Sequence, residues 1–141
     1  MTTVREVMTK DVKACAPHDP VTAAAKLMRD INCGSVPVCQ ENRVMGMITD
    51  RDIVLNCVAD GKDCSTVHCH DCMTKDVITC SPDTDIHECA RMMADHQIRR
   101  IIVVENNNNM VGICAIGDLA TVNVYVDEAG AALSEISNQV H

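Results

Sequence analysis

The sequence predicts a mixed α/β (α+β) fold made of two βαββα halves. Three observations predict it: a long internal repeat, a β-branched hairpin in each copy, and a helix with one apolar face ahead of each hairpin. Met8-Thr9-Lys10-Asp11-Val12 recurs as Met73-Thr74-Lys75-Asp76-Val77, and 11 of 34 positions are identical between residues 8–41 and 73–106. Self-similarity at one fixed spacing marks a duplicated supersecondary unit. The second copy carries one extra residue in its Asn106-Asn107-Asn108-Asn109 turn, after which Gly46 aligns with Gly112 and Asp52 with Asp118.

A first strand is expected near 13–15 and again near 77–80. Asp19 is a suitable N-cap with Pro20 at the first helical position, and Thr84 takes the capping place in copy two. Val21, Ala24, Ala25 and Met28 fall on one helical face, as do Ile86, Cys89, Ala90 and Met93. Strands over 35–39 and 44–49, and over 100–104 and 110–115, pair as hairpins across polar turns. Short helices over 50–58 and 117–122 close the units. A helical solenoid is excluded, because β-branched hairpins recur in both copies. The expected organisation is repeat one over 1–62, repeat two over 63–122 and a helical tail over 123–141. A polar linker around Gly61 spans 59–67. The tail, weakened by Gly130, is expected to pack on the body or across a dimer, with a partner-binding helix as the alternative.

Composition narrows the class of function. Of 141 residues 47% are hydrophobic, yet there is no Phe or Trp and one Tyr, Tyr125, so the core must be aliphatic, methionine and cysteine. A net charge of −8 argues against a nucleic-acid backbone as partner, since that needs clustered Lys and Arg. No apolar run approaches the roughly 18 residues of a membrane span, and the N-terminal residues carry no apolar signal segment. A soluble cytoplasmic protein without membrane partners is expected. Ten cysteines in that compartment are expected to be reduced and mainly core filler, as free Cys packs like a small hydrophobe. Cys64, His68, Cys69, His70 and Cys72 form a cluster of metal- or redox-competent types. Only Cys69 and Cys72 have a paired spacing, so structural packing is favoured over a metal site. There is no P-loop, dinucleotide fingerprint or serine elbow, so no enzyme is expected.

Three motifs occur in order, twice. Val7-Met8-Thr9, Gly34-Ser35-Val36-Pro37-Val38 and Gly46-Met47-Ile48-Thr49-Asp50-Arg51-Asp52 make the first set. The second is Met73-Thr74, then His96 through Val104 with Arg99-Arg100 inside it, then Gly112-Ile113-Cys114-Ala115-Ile116-Gly117-Asp118-Leu119. Over residues 4–122 the chain resembles a tandem CBS-domain pair of the stand-alone bacterial type. That resemblance implies two repeats packed sheet to sheet with pseudo-two-fold symmetry, no catalytic residues, no resident cofactor or metal, and an adenine nucleotide (AMP, ADP or ATP) as regulatory ligand between the repeats. It further implies a homodimer that signals to an unknown effector protein.

By the same resemblance, ribose is held by Thr49 and Asp52, with Arg51 between them, and adenine lies against Ala14, Cys15 and Pro37. Phosphate is met by Arg99 and Arg100 from the other repeat. A carboxylate accepts from a ribose diol, and a helix N-terminus favours anionic oxygens. The copies are unequal: Ala115 replaces the threonine ahead of Asp118, and Gly34 and Ser35 stand where copy two has its arginines. One strong site and one weak site around Asp118 are therefore expected. The alternative function is a cysteine/histidine-based redox or metal sensor using the 64–72 cluster.

Overall fold

Backbone groups at the start of the two long helices decide how the chain is partitioned. In a computed structural model describing residues 2–120, these helices are α2 (Val21–Ile31) and α5 (Ile86–Asp95). They follow two one-turn helices in chain order of mention: α1 (Val4–Val7) precedes α2, and α4 (Cys69–Cys72) precedes α5. Each long helix buries the predicted stripe: Val21, Ala24 and Met28 in one, Ile86, Cys89, Ala90 and Met93 in the other. Ala25, assigned to that face by spacing, is exposed. Both helices are followed by a left-handed residue, Asn32 at φ 54° and Gln97 at φ 55°.

The expected caps shift by one position in both copies. Asp19 does not cap α2; its carboxylate accepts from Ala16 N–H at 2.9 Å, and Pro20 is the N-cap. Thr84 likewise accepts from Ser81 N–H at 3.1 Å, while Asp85 caps α5 by accepting from His87 N–H at 2.9 Å. The physical reason is that orphan N–H groups at a helix start need acceptors, and distant carbonyls supply them here. Val21 N–H donates to Val67 O at 2.8 Å and Thr22 N–H to Cys64 O at 3.0 Å. In copy two, Ile86 N–H donates to Thr2 O at 3.2 Å. Thr2 and Val67 are equivalent positions of the repeat.

The segment that leads into each repeat, a strap, thus serves the body of the other. The chain divides into two compact units, one of residues 13–77 and one combining 1–12 with 78–141. In the second unit Val4 N–H donates to Thr84 O at 2.9 Å, and Thr9 exchanges two 2.9 Å hydrogen bonds with Ile113. In the first, Thr74 exchanges equivalent bonds of 2.9 and 3.0 Å with Met47.

Each unit is completed by a hairpin. Strands β1 (Ser35–Gln40) and β2 (Arg43–Thr49) pair antiparallel, followed directly by α3 (Asp50–Ile53) and a wider π turn over Val54–Val58. Strands β4 (Arg100–Glu105) and β5 (Asn109–Ala115) pair the same way and lead into α6 (Ile116–Ala120). The short β3 (Thr79–Cys80) runs parallel to β4, and its counterpart in copy one is a single parallel bridge from Cys15 to Val38. Turn residues Glu41 and Asn42, and Asn106, Asn107 and Asn108, all have positive φ. Asparagine enters that region more readily than most residues, which accommodates the extra residue in copy two.

The mixed α/β class is borne out, and each unit has its own aromatic-free core. Val36, Val38, Ile48 and Cys57 pack with α2 in one; Ile101, Val103, Cys114 and Leu119 pack with α5 in the other. Seven of the ten cysteines are buried, as core filler should be. Among the described residues no helix is long and apolar enough to cross a membrane. The expected tail helix over 123–141 lies outside the described residues.

Candidate functional site

Residue register decides which side chains share a face, because paired residues on adjacent strands project together and neighbours alternate. Ser35 pairs with Thr49, Val36 with Ile48 and Pro37 with Met47. Since Val36 and Ile48 enter the core beside α2, Ser35, Pro37, Met47 and Thr49 lie on the opposite face. In the other unit Arg100 pairs with Ala115 and Ile101 with Cys114. Ile101 and Cys114 enter the core beside α5, which places Arg100, Ile102, Ile113 and Ala115 on the corresponding opposite face. Arg100 therefore occupies the place of Ser35, directly across from the position where threonine is replaced by alanine.

Thr49 and Asp52 brace each other. Asp52 N–H donates to Thr49 Oγ1 at 3.0 Å, and Thr49 N–H donates to Asp52 Oδ2 at 3.0 Å. This reciprocal capping box holds both side chains in one geometry while the threonine hydroxyl retains its proton for donation. Copy two keeps half of the brace: Ala115 N–H donates to Asp118 Oδ2 at 2.8 Å, with no hydroxyl to complete it. Thr-x-x-Asp is itself a capping signature, so the sequence carried this second role, which the reading toward ribose passed over.

The expectation that the start of α3 receives anionic oxygens needs correction. Its first N–H groups are already taken: Asp50 donates to Gly34 O at 2.9 Å, Arg51 to Asp50 Oδ1 at 2.8 Å, and Asp52 to Thr49. Two carboxylates in one turn also make the spot unfavourable to phosphate. Asp50 was not anticipated. Its carboxylate lies where a Cβ on Gly34 would fall, 2.8 Å from Oδ2, so the copy-one position equivalent to Arg99 has a negative neighbour. At the equivalent of Asp50, copy two has buried Ile116, whose N–H donates to Arg99 O at 2.9 Å.

The remaining candidates divide by unit. Thr49, Arg51, Asp52, Ala14, Cys15 and Pro37 belong to the unit of residues 13–77, and Arg99, Arg100 and Asp118 to the other. Ala14 and Arg51 are exposed, Pro37 is buried, and Arg99 is exposed just ahead of β4 while Arg100 is half-buried. Cys15 is turned into the core, where a hydrogen bond with Cys69 lowers its pKa and raises that of Cys69. Its backbone is engaged with Pro37 O and Cys39 N–H at 3.0 and 2.8 Å. Cys69 and Cys72 are 0% and 2% exposed, and the described residues contain no group of three or more His, Cys, Asp or Glu arranged to hold a metal ion.

The family model for the CBS domain matches residues 4–58 and again 69–125. The chain belongs to the CBS-domain family. It is 38% identical over 139 residues to the CBS domain-containing protein YhcV of Bacillus subtilis, covering 99% of this chain and 98% of that one. Hypoxic response protein 1 of Mycobacterium tuberculosis is 35% identical over 121 residues, covering 85% and 84% of the two chains. A crystal structure of Hypoxic Response Protein I with two coordinated zinc ions superposes with a TM-score of 0.79 at 34% identity, over 86% of this chain and 98% of that one. A hexameric CBS-CP12 protein from bloom-forming cyanobacteria superposes with a TM-score of 0.73 at 26% identity, over 89% and 70%. The tandem CBS architecture expected from the motifs is thereby confirmed.

Proposed function

We propose that this CBS pair is a non-enzymatic regulatory module that binds an adenine nucleotide. Thr49 and Asp52 take the ribose hydroxyls, Ala14 and Pro37 border the base, and Arg100, assisted by Arg99, meets the phosphate. The observation that carries this reading is the unequal equipment of two equivalent faces. One presents a braced hydroxyl and carboxylate, and the other presents a guanidinium where its counterpart has Ser35. Guanidinium is suited to bidentate phosphate recognition, and each charge-assisted hydrogen bond contributes about 1.5–3 kcal/mol. Asp50 beside Gly34 weakens the alternative pairing around Asp118. As a nucleotide sensor without an enzymatic site of its own, the protein would act in the cytoplasm through an effector protein.

Ligand that binds only the folded state adds about 2.7 kcal/mol at a hundredfold excess over Kd. AMP, ADP or ATP is therefore expected to raise the unfolding midpoint on the order of 10 °C, while cytidine nucleotides leave it unchanged. A flat response to every adenine nucleotide, with the fold intact by circular dichroism, rejects the reading. The zinc ions of Hypoxic Response Protein I favour one competing function, a metal sensor. Stoichiometric zinc in protein purified under reducing conditions, together with a midpoint lowered by chelator, would support it instead.

The expected homodimer draws on exposed Val54, Leu55 and Val58, which are 54%, 47% and 58% accessible along one short stretch. A second copy covering this apolar stretch explains why it is not polar. Val58→Asp is expected to shift a dimer to monomer in sedimentation equilibrium. An unchanged mass distribution would place the interface elsewhere.

A further inference from the structure

Most of the ten thiols are packed into the cores, and one pair lies at a core margin, Cys57 inside it and Cys64 packed against it from the loop that follows. Cys57, at the π turn, and Cys64, past the turn through Gly61, approach with Sγ atoms 2.6 Å apart. Backbone contacts hold both ends of this loop. Lys62 N–H donates to Cys57 O at 3.0 Å, and Gly61 N–H to Val58 O at 3.0 Å. Cys64 O accepts from both the N–H and the hydroxyl of Thr22, at 3.0 and 2.7 Å. These bonds fix the main chain at both cysteines and so hold the two side chains within reach of each other. Cys57 is fully buried and Cys64 half-buried, so Cys64 is the more exposed residue of the two. The Cys57 thiol is pushed up to about 11, first by its hydrogen bond with Cys64 and then by burial. Burial keeps Cys57 away from a peroxide in solvent, so the first attack falls to the half-buried Cys64.

We propose that Cys57 and Cys64 form a redox-modifiable pair that a hydroperoxide converts into an intrachain disulfide. The Cys64 thiolate attacks the terminal peroxide oxygen. The O–O bond breaks, and the departing alkoxide or hydroxide leaves as alcohol or water. Cys57 then attacks the sulfur of the resulting sulfenic acid, the S–S bond forms, and water departs with the Cys57 proton. Two thiols lose two protons and two electrons, and one hydroperoxide is reduced to an alcohol, or water, plus one water. The bond would tie the π turn to the strap residues whose carbonyls cap α2. This inference does not depend on the nucleotide reading.

The test uses the whole chain, treated with about one equivalent of hydrogen peroxide, quenched, unfolded and alkylated. Two of its ten thiols are expected to escape alkylation. Trypsin should then release peptide 52–62 joined to peptide 63–75, with fragmentation placing the bond on Cys64. In Cys57→Ser, Cys64 should accumulate as sulfenic acid and react with dimedone; in Cys64→Ser, Cys57 should stay reduced. Full alkylation of Cys57 in the treated wild type, or a bond from Cys57 to the neighbouring Cys72, overturns the proposal. Neither outcome needs a variant to fold.

Discussion

Replacing Gly46 or Gly112 by alanine is expected to lower the unfolding midpoint on the order of 10 °C, an effect far larger than a single methyl group suggests. A Cβ on Gly46 would sit 2.6 Å from Thr74 O and 2.8 Å from Met73 Sδ. On Gly112 it would sit 2.8 Å from Thr9 O and 2.7 Å from Met8 Sδ. The methionine tips can swing away, but the carbonyls cannot. Thr74 is held to Met47, and Thr9 to Ile113, by two hydrogen bonds each. The added carbon must therefore push the strap off the strand or bend both. Overpacking of this kind costs about 1–3 kcal/mol, against a total stability of about 5–15 kcal/mol for a domain. Neither glycine needs a positive φ, so what it supplies is space. Gly117 is the control: a Cβ there meets nothing within 4 Å, and the residue lies in α6. Gly117→Ala should hold or raise the midpoint, since the helix-propensity difference favours alanine by about 1 kcal/mol. Equal behaviour of all three alanine variants in thermal unfolding would remove the strap from the account of stability.

Arg100→Ala is expected to weaken AMP binding by about 10- to 150-fold, corresponding to loss of a charge-assisted contact of about 1.5–3 kcal/mol. Asp52→Asn should weaken it comparably while keeping a side-chain oxygen to accept from Thr49 N–H. Asp118→Asn should leave it unchanged. Asparagine is preferred to alanine here because Asp52 also caps α3, and deleting a cap costs about 0.5–2 kcal/mol by itself. Titration calorimetry together with thermal unfolding of the three variants separates the two roles, since losing a cap lowers stability without lowering affinity. Equal losses at Asp52 and Asp118 would mean two equivalent sites and would dissolve the proposed asymmetry.

The repeat, the hairpins and the helix stripes were all legible because each depends on residues close in sequence. The apolar run Val36-Pro37-Val38, and the helical spacing of Val21, Ala24 and Met28, are local features of the chain. The candidate site was legible as a set of residue types, and its inequality was visible in Ala115 and Gly34. The brace between Thr49 and Asp52 was also within reach, being a three-residue pattern. Asp50 was not, because its influence on Gly34 depends on where β1 begins relative to α3. The cap positions failed for a similar reason. Asp19 and Thr84 are good caps by type, yet the helix starts one residue past Pro20 and Asp85, where carbonyls of remote segments are already in place.

Local residue patterns were enough to specify a duplicated βαββα chain with an aliphatic and cysteine core, and to show which residue types the two copies hold differently. Packing of the folded chain is what exchanges each leading segment, so that Met8-Thr9 seals the body of repeat two and Met73-Thr74 that of repeat one. It also brought Cys57 and Cys64 within 2.6 Å. Periodicity fixes which face of an element is apolar, but a carbonyl or a sulfur carries no sequence label for its distant partner. That pairing is settled by which backbone groups still need a hydrogen bond once the elements have packed.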